Sequence, residues 1–331
     1  MALTIDQVLR GAAERGIHYQ DGARPTMLAS DSVPSMITTP NGSVPAALTT
    51  YFDPKVVRVA LAPLKSENIM ASEQRGSWVD TDLMFMMMEP VGQATAYGDY
   101  DNGGTSDGNV NWERRNTFHF QTHVKVGDQE AERAARLNIN IAGAKQQAGV
   151  GTLSRLRNKI NFFGIEGLDV RGILNDKDLP APITPASGTK WSAKAPEGIV
   201  DDVLNLFVDA QKRSGGTLEM ESPMTLAISS NLEPMLGRTN SYGFEIKTQL
   251  LKKFPGLRIE TAPEYATANG ELVQLIPDSV MGYEAGKTIF TERLRFHRTE
   301  IHTSSYEQKL SAGSAGAVIN YPFGIAQMLG V

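Results

Sequence analysis

The glycines between residues 143 and 152 are the first feature that could support chemistry, because phosphate-binding loops are rich in glycine. That loop requires Gly-Lys-Ser/Thr after its spacer, whereas Val150 follows Gly149 here. The same stretch lacks the third glycine and the preceding strand of a dinucleotide fingerprint. We therefore expect no nucleotide site in this segment.

Asp99 and Asp101 begin a stretch with the spacing of a calcium-binding loop. The next ligand position is Gly103, and the twelfth position, which requires a bidentate Glu, is Val110. The sequence therefore predicts a solvated, glycine-rich turn at residues 98–108.

The histidines have spacings that do not fit a shared metal ion. His119 and His123 lie on a predicted strand, where residues four apart are separated by about 13 Å. His297 and His302 are five apart and would face opposite sides of a strand. We expect all four to be surface or hydrogen-bonded side chains.

No set of nucleophile, base and orienting group can be assembled from the remaining motifs. Residues 311–316 lack a nucleophile elbow, because Ala312 stands where that motif requires Gly. The adjacent acids Asp201 and Asp202 lie near a helix start, where carboxylates are ordinary. The chain has no cysteine. We predict no catalytic residue, no cofactor and no metal.

Composition describes a soluble protein of about two domains. The chain has 331 residues, 41% hydrophobic, and a formal net charge of −5. No run of about 20 apolar residues suggests a membrane span, and the N-terminus lacks a signal-peptide pattern. The absence of cysteine fits a reducing cytosol. Basic residues are not concentrated, so any nucleic-acid contact is predicted to be weak and non-specific.

The elements that would position side chains follow an unusual order. A capping box at Thr4 predicts a helix, residues 18–50 are polar, and Asp53 precedes a short helix. An outgoing strand is predicted at residues 78–97 and a return strand at 118–126, with Phe118 and Phe120 on its apolar face. An isolated two-stranded ribbon is marginal in water, so it should pack on a core or another subunit.

A long helix is predicted at residues 128–163, which would span roughly 50 Å. Gly143, Gly149 and Gly151 weaken it and are typical of a kink or of two helices. The remainder has an α+β pattern. Helices are predicted over residues 199–210 and near 244–253, and strands at 224–229, 288–306 and 316–321. Asn269-Gly270 predicts a hairpin turn between two further strands, 257–261 and 272–276.

This order of segments resembles the major capsid proteins of tailed phages, the Hong Kong 97 (HK97-like) fold. Residues 167–175 resemble the glycine-punctuated segment that leads out of the spine helix, and residues 316–322 resemble the closing strand. The resemblance implies an α+β fold in five parts: an N-terminal arm with short helices (1–65), an extended loop formed by a β-hairpin (66–127), a spine helix entering the peripheral domain (128–179), an axial α/β domain (180–283) and C-terminal strands of the peripheral domain (284–331).

The resemblance also implies a function. The chain would self-assemble as pentamers and hexamers into an icosahedral virion capsid around double-stranded DNA, in the host cytoplasm and without a membrane. Separate scaffolding, portal and decoration proteins would be partners. Cross-linking family members use a lysine in the extended loop, but none occurs between Lys65 and Lys125, so we predict no covalent cross-links.

Seven residues are predicted subunit contacts. Trp112, Arg114 and Arg115 are candidates because Trp and Arg dominate interface hot spots. Phe118 and Phe120 belong to strand faces that an isolated subunit would leave partly wet. The resemblance places the loop at residues 237–243, with Arg238 and Tyr242, at the symmetry axis.

Three other classes of protein remain open at this point. An encapsulin shell would share the fold and hold protein cargo instead of DNA. An α/β enzyme would form a small oligomer with a ligand-dependent melting shift. A phage tail-tube subunit should lack the long helix.

Overall fold

The structure is a computed structural model that describes residues 63–100 and 103–331. The predicted helices at Thr4 and Asp53 and the polar stretch 18–50 lie outside these residues. The described part contains six α-helices: α1 (Ser66–Ile69), α2 (Asp128–Arg136), α3 (Ile141–Phe163), α4 (Pro196–Arg213), α5 (Glu233–Leu236) and α6 (Ile246–Lys253). It contains thirteen strands: β1 (Ser72–Gln74), β2 (Asp82–Gln93), β3 (Thr105–Asn116), β4 (Phe118–Gly127), β5 (Met224–Ile228), β6 (Leu257–Thr261), β7 (Ala266–Thr267), β8 (Gly270–Pro277), β9 (Ser279–Val280), β10 (Tyr283–Glu284), β11 (Gly286–His302), β12 (Ser305–Ile319) and β13 (Ala326–Leu329).

A four-stranded sheet in the order β1-β11-β12-β4 supports the long helix α3. Alternate residues of β4 and β12 face the helix, because side chains of a strand point to its two sides in turn. Phe120, Val124 and Leu310 are buried there against Leu153 of α3. A side chain at Gly149 would lie 2.9 Å from Val124, so this glycine lets the helix approach the sheet closely.

A second sheet in the order β13-β8-β5-β6 forms the other core. Strand β5 is buried along its whole length, which suits a central strand between parallel β6 and antiparallel β8. Helix α4 packs Leu206 and Phe207 on this core. Pro196 begins α4, where the missing N–H of proline has no helical partner to lose.

Strands β2 and β3 form a separate hairpin, called the extended hairpin below. Its antiparallel register runs from the pair Asp82 and Asn116 to the pair Gln93 and Thr105. Near the base, Leu83 packs with Ile289 and Val318 of the four-stranded sheet. The rest of the hairpin forms its own two-stranded sheet.

The predicted return strand at residues 118–126 is a strand, but its predicted partner is wrong. The hairpin returns through β3, which begins at Thr105 inside the segment predicted to be an irregular turn. Strand β4 pairs instead with β12, nearly 200 residues later. The alternation of Phe118 and Phe120 with polar residues indicates that one face of the strand is buried. It does not indicate which strand lies beside it.

The predicted helix over residues 128–163 is divided into α2 and α3. The break lies at residues 137–140, before all three glycines, which are inside α3. Asn138 adopts a left-handed conformation (φ 55°), which Asn tolerates better than most residues. The Asn140 side chain then accepts a hydrogen bond from the Gly143 N–H at 2.9 Å and caps α3.

One predicted pairing and the end of one predicted strand in the C-terminal half are also wrong. The turn at Asn269-Gly270 joins β7 to β8, whereas β6 pairs in parallel with β5. The predicted strand 288–306 ends at His302, and its last two residues, Ser305 and Tyr306, belong to β12. Residues 284–331, predicted as peripheral strands, divide between two sheets because β13 pairs with β8.

The segment after α3 turns back on the helix end through closely approaching backbones. The N–H groups of Ile173 and Leu174 donate to the carbonyls of Asn161 and Phe162 at 2.8 and 3.0 Å. A Cβ at Gly172 would lie 2.2 Å from the Phe162 carbonyl oxygen, so only glycine fits this approach.

The Gly172→Ala variant is expected to lose about 3 kcal/mol of unfolding free energy, because backbone must shift to admit the methyl group. Gly167→Ala is the matched control. Gly167 has φ 85°, and a Cβ at this position would meet nothing within 4 Å, so this variant should lose only about 1 kcal/mol from backbone strain. Urea unfolding compares the two, and equal losses would contradict the steric explanation.

Candidate subunit-interface site

The extended hairpin carries an apolar face that the described chain leaves exposed. Alternation places Met84, Met86 and Met88 of β2 on the same side as Val110 and Trp112 of β3. Met86 and Trp112 face each other in the register, and each is 59% exposed. A contiguous exposed apolar face on a soluble protein marks an interaction surface.

The composition of this face suits contact with another protein surface. Methionine side chains are flexible and polarisable, so they adapt to irregular neighbouring shapes. Met88 also lies over Gly108, where a Cβ would come within 2.3 Å of its terminal methyl carbon. Glycine at this position therefore leaves room for the methionine on the same face.

The base of the hairpin is fixed by an ion pair and a hydrogen bond to the same carboxylate. Arg114 donates to Asp82 across the two strands at 2.7 Å, and this hydrogen bond lowers the pKa of Asp82 below its ordinary value. Asn116 donates to the other oxygen of the same carboxylate at 2.7 Å. Predicted contact residue Arg114 is exposed, and its charge is already partnered within the subunit.

Arg115, the neighbouring predicted contact residue, is buried at 1% exposure on the opposite face. Its guanidinium lies 2.7 Å from Glu113, 3.6 Å from Asp169 and 3.8 Å from Asp176. Asp169 and Asp176 belong to the segment that follows α3. Arg115 therefore joins the hairpin base to the end of the spine helix inside one subunit.

A second guanidinium completes this cluster. Arg171 lies 3.0 Å from Asp169 and 3.1 Å from Asp176, and it also pairs with Asp178. Two arginines and their carboxylates thus fix the direction in which the hairpin leaves the body. Arg171 and Asp176 are not among the predicted site residues, although the Asp and Arg residues at 169–178 are a signal for such a cluster.

The predicted contacts Phe118 and Phe120 lie on β4. Their rings stack with centroids 6.1 Å apart, and they pack against the core under α3. Phe120 is 6% exposed, so the expectation that an isolated subunit leaves it partly wet is wrong. Helix α3 covers this strand face within the same chain.

The loop at residues 237–243 contains one structural and one exposed candidate. Arg238 donates to the carbonyls of Trp191 and Lys194 at 3.2 and 2.9 Å, which holds the loop against the preceding segment. Tyr242 is 81% exposed. Tyr242 therefore has the free surface that a subunit contact requires, whereas Arg238 supports the loop.

Behind this loop, Asp202 is completely buried. It accepts hydrogen bonds from the Trp191 indole N–H at 2.9 Å, from Lys194 Nζ at 2.7 Å and from the Ala186 N–H at 3.1 Å. Burial of a carboxylate is tolerated because these donors replace water. The pair Asp201-Asp202, predicted to be ordinary helix-start acids, therefore includes one structural anchor.

His123 and His302, which are far apart in the sequence, lie beside the same carboxylate. His123 Nδ1 lies 3.0 Å from Glu307 Oε1, and His302 Nε2 lies 3.6 Å from Glu307 Oε2. His297 contacts the Ser311 hydroxyl at 2.7 Å. No group of three or more His, Cys, Asp or Glu side chains is placed to hold a metal among residues 63–100 and 103–331.

The seven predicted contact residues thus occupy different environments. Trp112 and Tyr242 are exposed, Arg114 is exposed and paired, and Arg115 and Phe120 are buried in their own subunit. Their assignment as contacts between subunits stays a prediction.

In the described part of the chain, no helix has the length and apolarity needed to cross a membrane.

Several solved structures have the same architecture. The chain is similar to the capsid of Myoviridae phage XM1, with a TM-score of 0.72 and 12% identity over 88% of this chain and 100% of that one. It is similar to the capsid of a native GTA particle, with a TM-score of 0.57 and 11% identity over 84% and 95% of the two chains. A virus-like particle from Pyrococcus furiosus gives a TM-score of 0.51 and 12% identity over 79% and 90%.

These likenesses define the fold as the α+β, HK97-like capsid fold, which confirms the predicted fold class. The model of the Pa193 gp26 major capsid protein family matches residues 35–330, and the chain belongs to that family. The prediction of a tailed-phage major capsid protein is thereby confirmed, and it is favoured over an encapsulin shell. None of the curated proteins matches the sequence.

Proposed function

We propose that this chain assembles as pentamers and hexamers into an icosahedral shell that encloses double-stranded DNA in the virion. Membership of a major capsid protein family supports this proposal. The single structural observation that carries it is the exposed apolar face of the extended hairpin. The proposed role is structural, with no catalytic step.

The exposed apolar face of the extended hairpin is large enough to need another protein surface to bury it. Met84, Met86, Met88, Val110 and Trp112 lie on a ribbon that is too thin to bury them by itself. Burying each large apolar side chain contributes about 1.5–3 kcal/mol, so covering the face by a neighbouring copy favours association. Because every copy both gives and receives this contact, many modest interfaces add up in a closed shell.

Other components follow from this proposal. Assembly takes place in the host cytoplasm, with separate scaffolding, portal and decoration proteins and without a membrane. The net charge of −5 suits a container that contacts DNA weakly and without sequence specificity.

The direct test is to express the chain alone and with a co-expressed scaffolding protein, then to weigh the products by light scattering and image them. Closed shells, or rings of five and six copies, are the expected result. A monomer under both conditions would overturn the proposal. Double-stranded DNA in native particles would distinguish the phage capsid from a shell that packs protein cargo.

The shells are expected to be held together without covalent cross-links, since no lysine occurs between Lys65 and Lys125. Dissolved in sodium dodecyl sulfate, they should therefore run as one band at the chain mass of 36.0 kDa. Shells treated first with an amine cross-linker provide the positive control. A ladder of multiples in untreated shells would contradict this expectation.

A further inference from the structure

A cavity of about 360 Å³ lies at the edge of the second sheet, beside the loop at residues 237–243. Its lining includes Ile259 of β6, Leu236 at the end of α5, Gly237 at the start of the loop and Lys247 of α6. None of the lining residues belongs to the extended hairpin or to the four-stranded sheet. The cavity is therefore separate from the apolar hairpin face described above.

The cavity adjoins a sheet edge that the described chain leaves open. Strand β6 is the last strand in the order β13-β8-β5-β6, and among residues 63–100 and 103–331 it pairs with β5 alone. Native proteins cover or pair such edges, because an open strand edge attracts other chains. We therefore expect a further segment of protein to lie along this side of β6.

The lining favours an apolar occupant. Leu236 is 2% exposed and Ile259 packs against the same core, so the cavity continues the core of the second sheet outward. The charged lining residues are two lysines and two glutamates, and their charges balance. A balanced set of charges does not select a phosphate or a metal ion, whereas the apolar surface gains from being covered.

The chain enters the described structure at this cavity. Lys65 is one of the lining residues, and its Nζ lies 3.1 Å from Glu260 Oε2 of β6. The described residues begin at Pro63, only two positions earlier, and Leu64 between them is 45% exposed. The segment that precedes Pro63 is therefore tethered beside the cavity.

The composition of that segment matches the lining. Six of the seven residues 56–62 are apolar, and Arg58 is the exception. Val57 and Leu61 are four positions apart, which places them on the same side of either a helix or a strand. Either conformation can thus present both side chains to one apolar surface.

We propose that residues 54–62 dock in the cavity of their own chain, with Val57 and Leu61 packed against Leu236 and Ile259. The removal of these four side chains from water favours docking. The short tether gives the segment a high effective concentration at its own cavity, which a second copy in solution does not have.

Two consequences follow from this docking. It covers the open edge of β6, and it places the segment against Gly237, which begins the loop at residues 237–243. The segment therefore supports the start of the loop that carries the exposed Tyr242. The contact lies within one subunit, so it goes beyond the proposed shell and does not depend on it.

The first test uses the absence of cysteine from the chain. Oxidation of the double variant Leu61→Cys with Lys247→Cys should link the segment to α6 within one chain, which gives a band that runs ahead of the reduced chain on a non-reducing gel. The control pairs Leu61→Cys with Lys253→Cys, because Lys253 is an exposed lysine of the same helix outside the cavity lining. Docking should give about tenfold more intrachain disulfide in the first pair than in the control. Equal yields would overturn the proposal.

The second test measures access to the cavity. Thr261→Cys places a single thiol in the lining, and its rate of reaction with a maleimide reports whether the cavity is filled. Adding Leu61→Asp should raise this rate about tenfold, because a carboxylate is costly to bury against an apolar lining. Val56→Asp, the same change on a different side of the segment, is the matched control and should leave the rate unchanged. Equal rates with Leu61→Asp and Val56→Asp would contradict docking through Val57 and Leu61.

Other outcomes separate this proposal from the proposed shell. Disulfide-linked multiples of the 36.0 kDa chain would show that the cavity receives the segment of a second copy, which would overturn docking within one chain. Wild-type shells that form while both tests fail would overturn this site alone. A wild-type chain that shows the intrachain disulfide pattern in its variants but forms no shells would support the docking and overturn the proposed assembly.

Discussion

The Trp112→Asp variant is expected to fold like the wild type and to form no shells. Trp112 is 59% exposed at the centre of the apolar hairpin face, so the isolated subunit gains little from it. A carboxylate at this position would have to be desolvated at every contact in a shell, without a matching partner. The loss of association free energy adds up over the shell, because each subunit contacts its neighbours through this face.

Two measurements check this expectation. Urea unfolding of the Trp112→Asp subunit should change by no more than about 0.5 kcal/mol, as for other surface substitutions. Assembly, followed by light scattering, should be absent at concentrations where the wild type forms shells.

The control for this prediction is Asn111→Asp, which adds the same charge one residue away on the other face of β3. The Asn111 side-chain oxygen accepts from the Trp112 N–H at 2.8 Å, and a carboxylate can keep that bond. Asn111→Asp should therefore assemble normally. Equal loss of assembly in both variants would show that charge on the hairpin, and not its apolar face, is responsible.

The Asp202→Ala variant is expected to lose about 3–5 kcal/mol of unfolding free energy, because it leaves buried donors without an acceptor. Lys194 Nζ and the Trp191 indole N–H both lose their carboxylate partner. The segment that carries Trp191 also accepts from Arg238, so the loop at 237–243 should loosen with it. A red shift of tryptophan emission would report this change before global unfolding.

Asp201→Ala is the matched control for Asp202, because Asp201 is the preceding residue of α4 and is exposed. Its removal should change stability by no more than about 0.5 kcal/mol. Urea unfolding of both variants distinguishes the buried network from a general effect of removing an acid near the start of α4. Similar stability in the two variants would contradict the role assigned to Asp202.

Local patterns in the sequence predicted most helices and the faces of the strands, but not which strands pair. Phe118 and Phe120 alternate as a half-buried strand does, and they are found on one. Their partner strand β12 begins at Ser305, and nothing in a period of two identifies a partner at that distance. The division into two helices was one of the two predicted outcomes, but its position at residues 137–140 was not predicted, because the apolar spacing continues across these residues.

The candidate site was predicted less completely for a similar reason. Trp112 was found from its residue type alone, and its exposure agrees with a surface role. Arg114 and Arg115 looked equivalent in the sequence, yet strand alternation places one in solvent and the other among carboxylates. Glu113 is two residues away on the same strand, but the other two carboxylates, Asp169 and Asp176, lie more than 50 residues further along the chain, so only the fold brings them to Arg115.

The pairing of β4 with β12 has a consequence for synthesis on the ribosome. The extended hairpin, complete at Asn116, leaves the exit tunnel long before Ile319 is translated. Until then β4 has no partner in the four-stranded sheet, and the last strand of the other sheet, β13, is made later still. Each nascent chain therefore exposes its apolar hairpin while the two sheets of its own body are still incomplete, and we expect its stable association with other copies to follow its release.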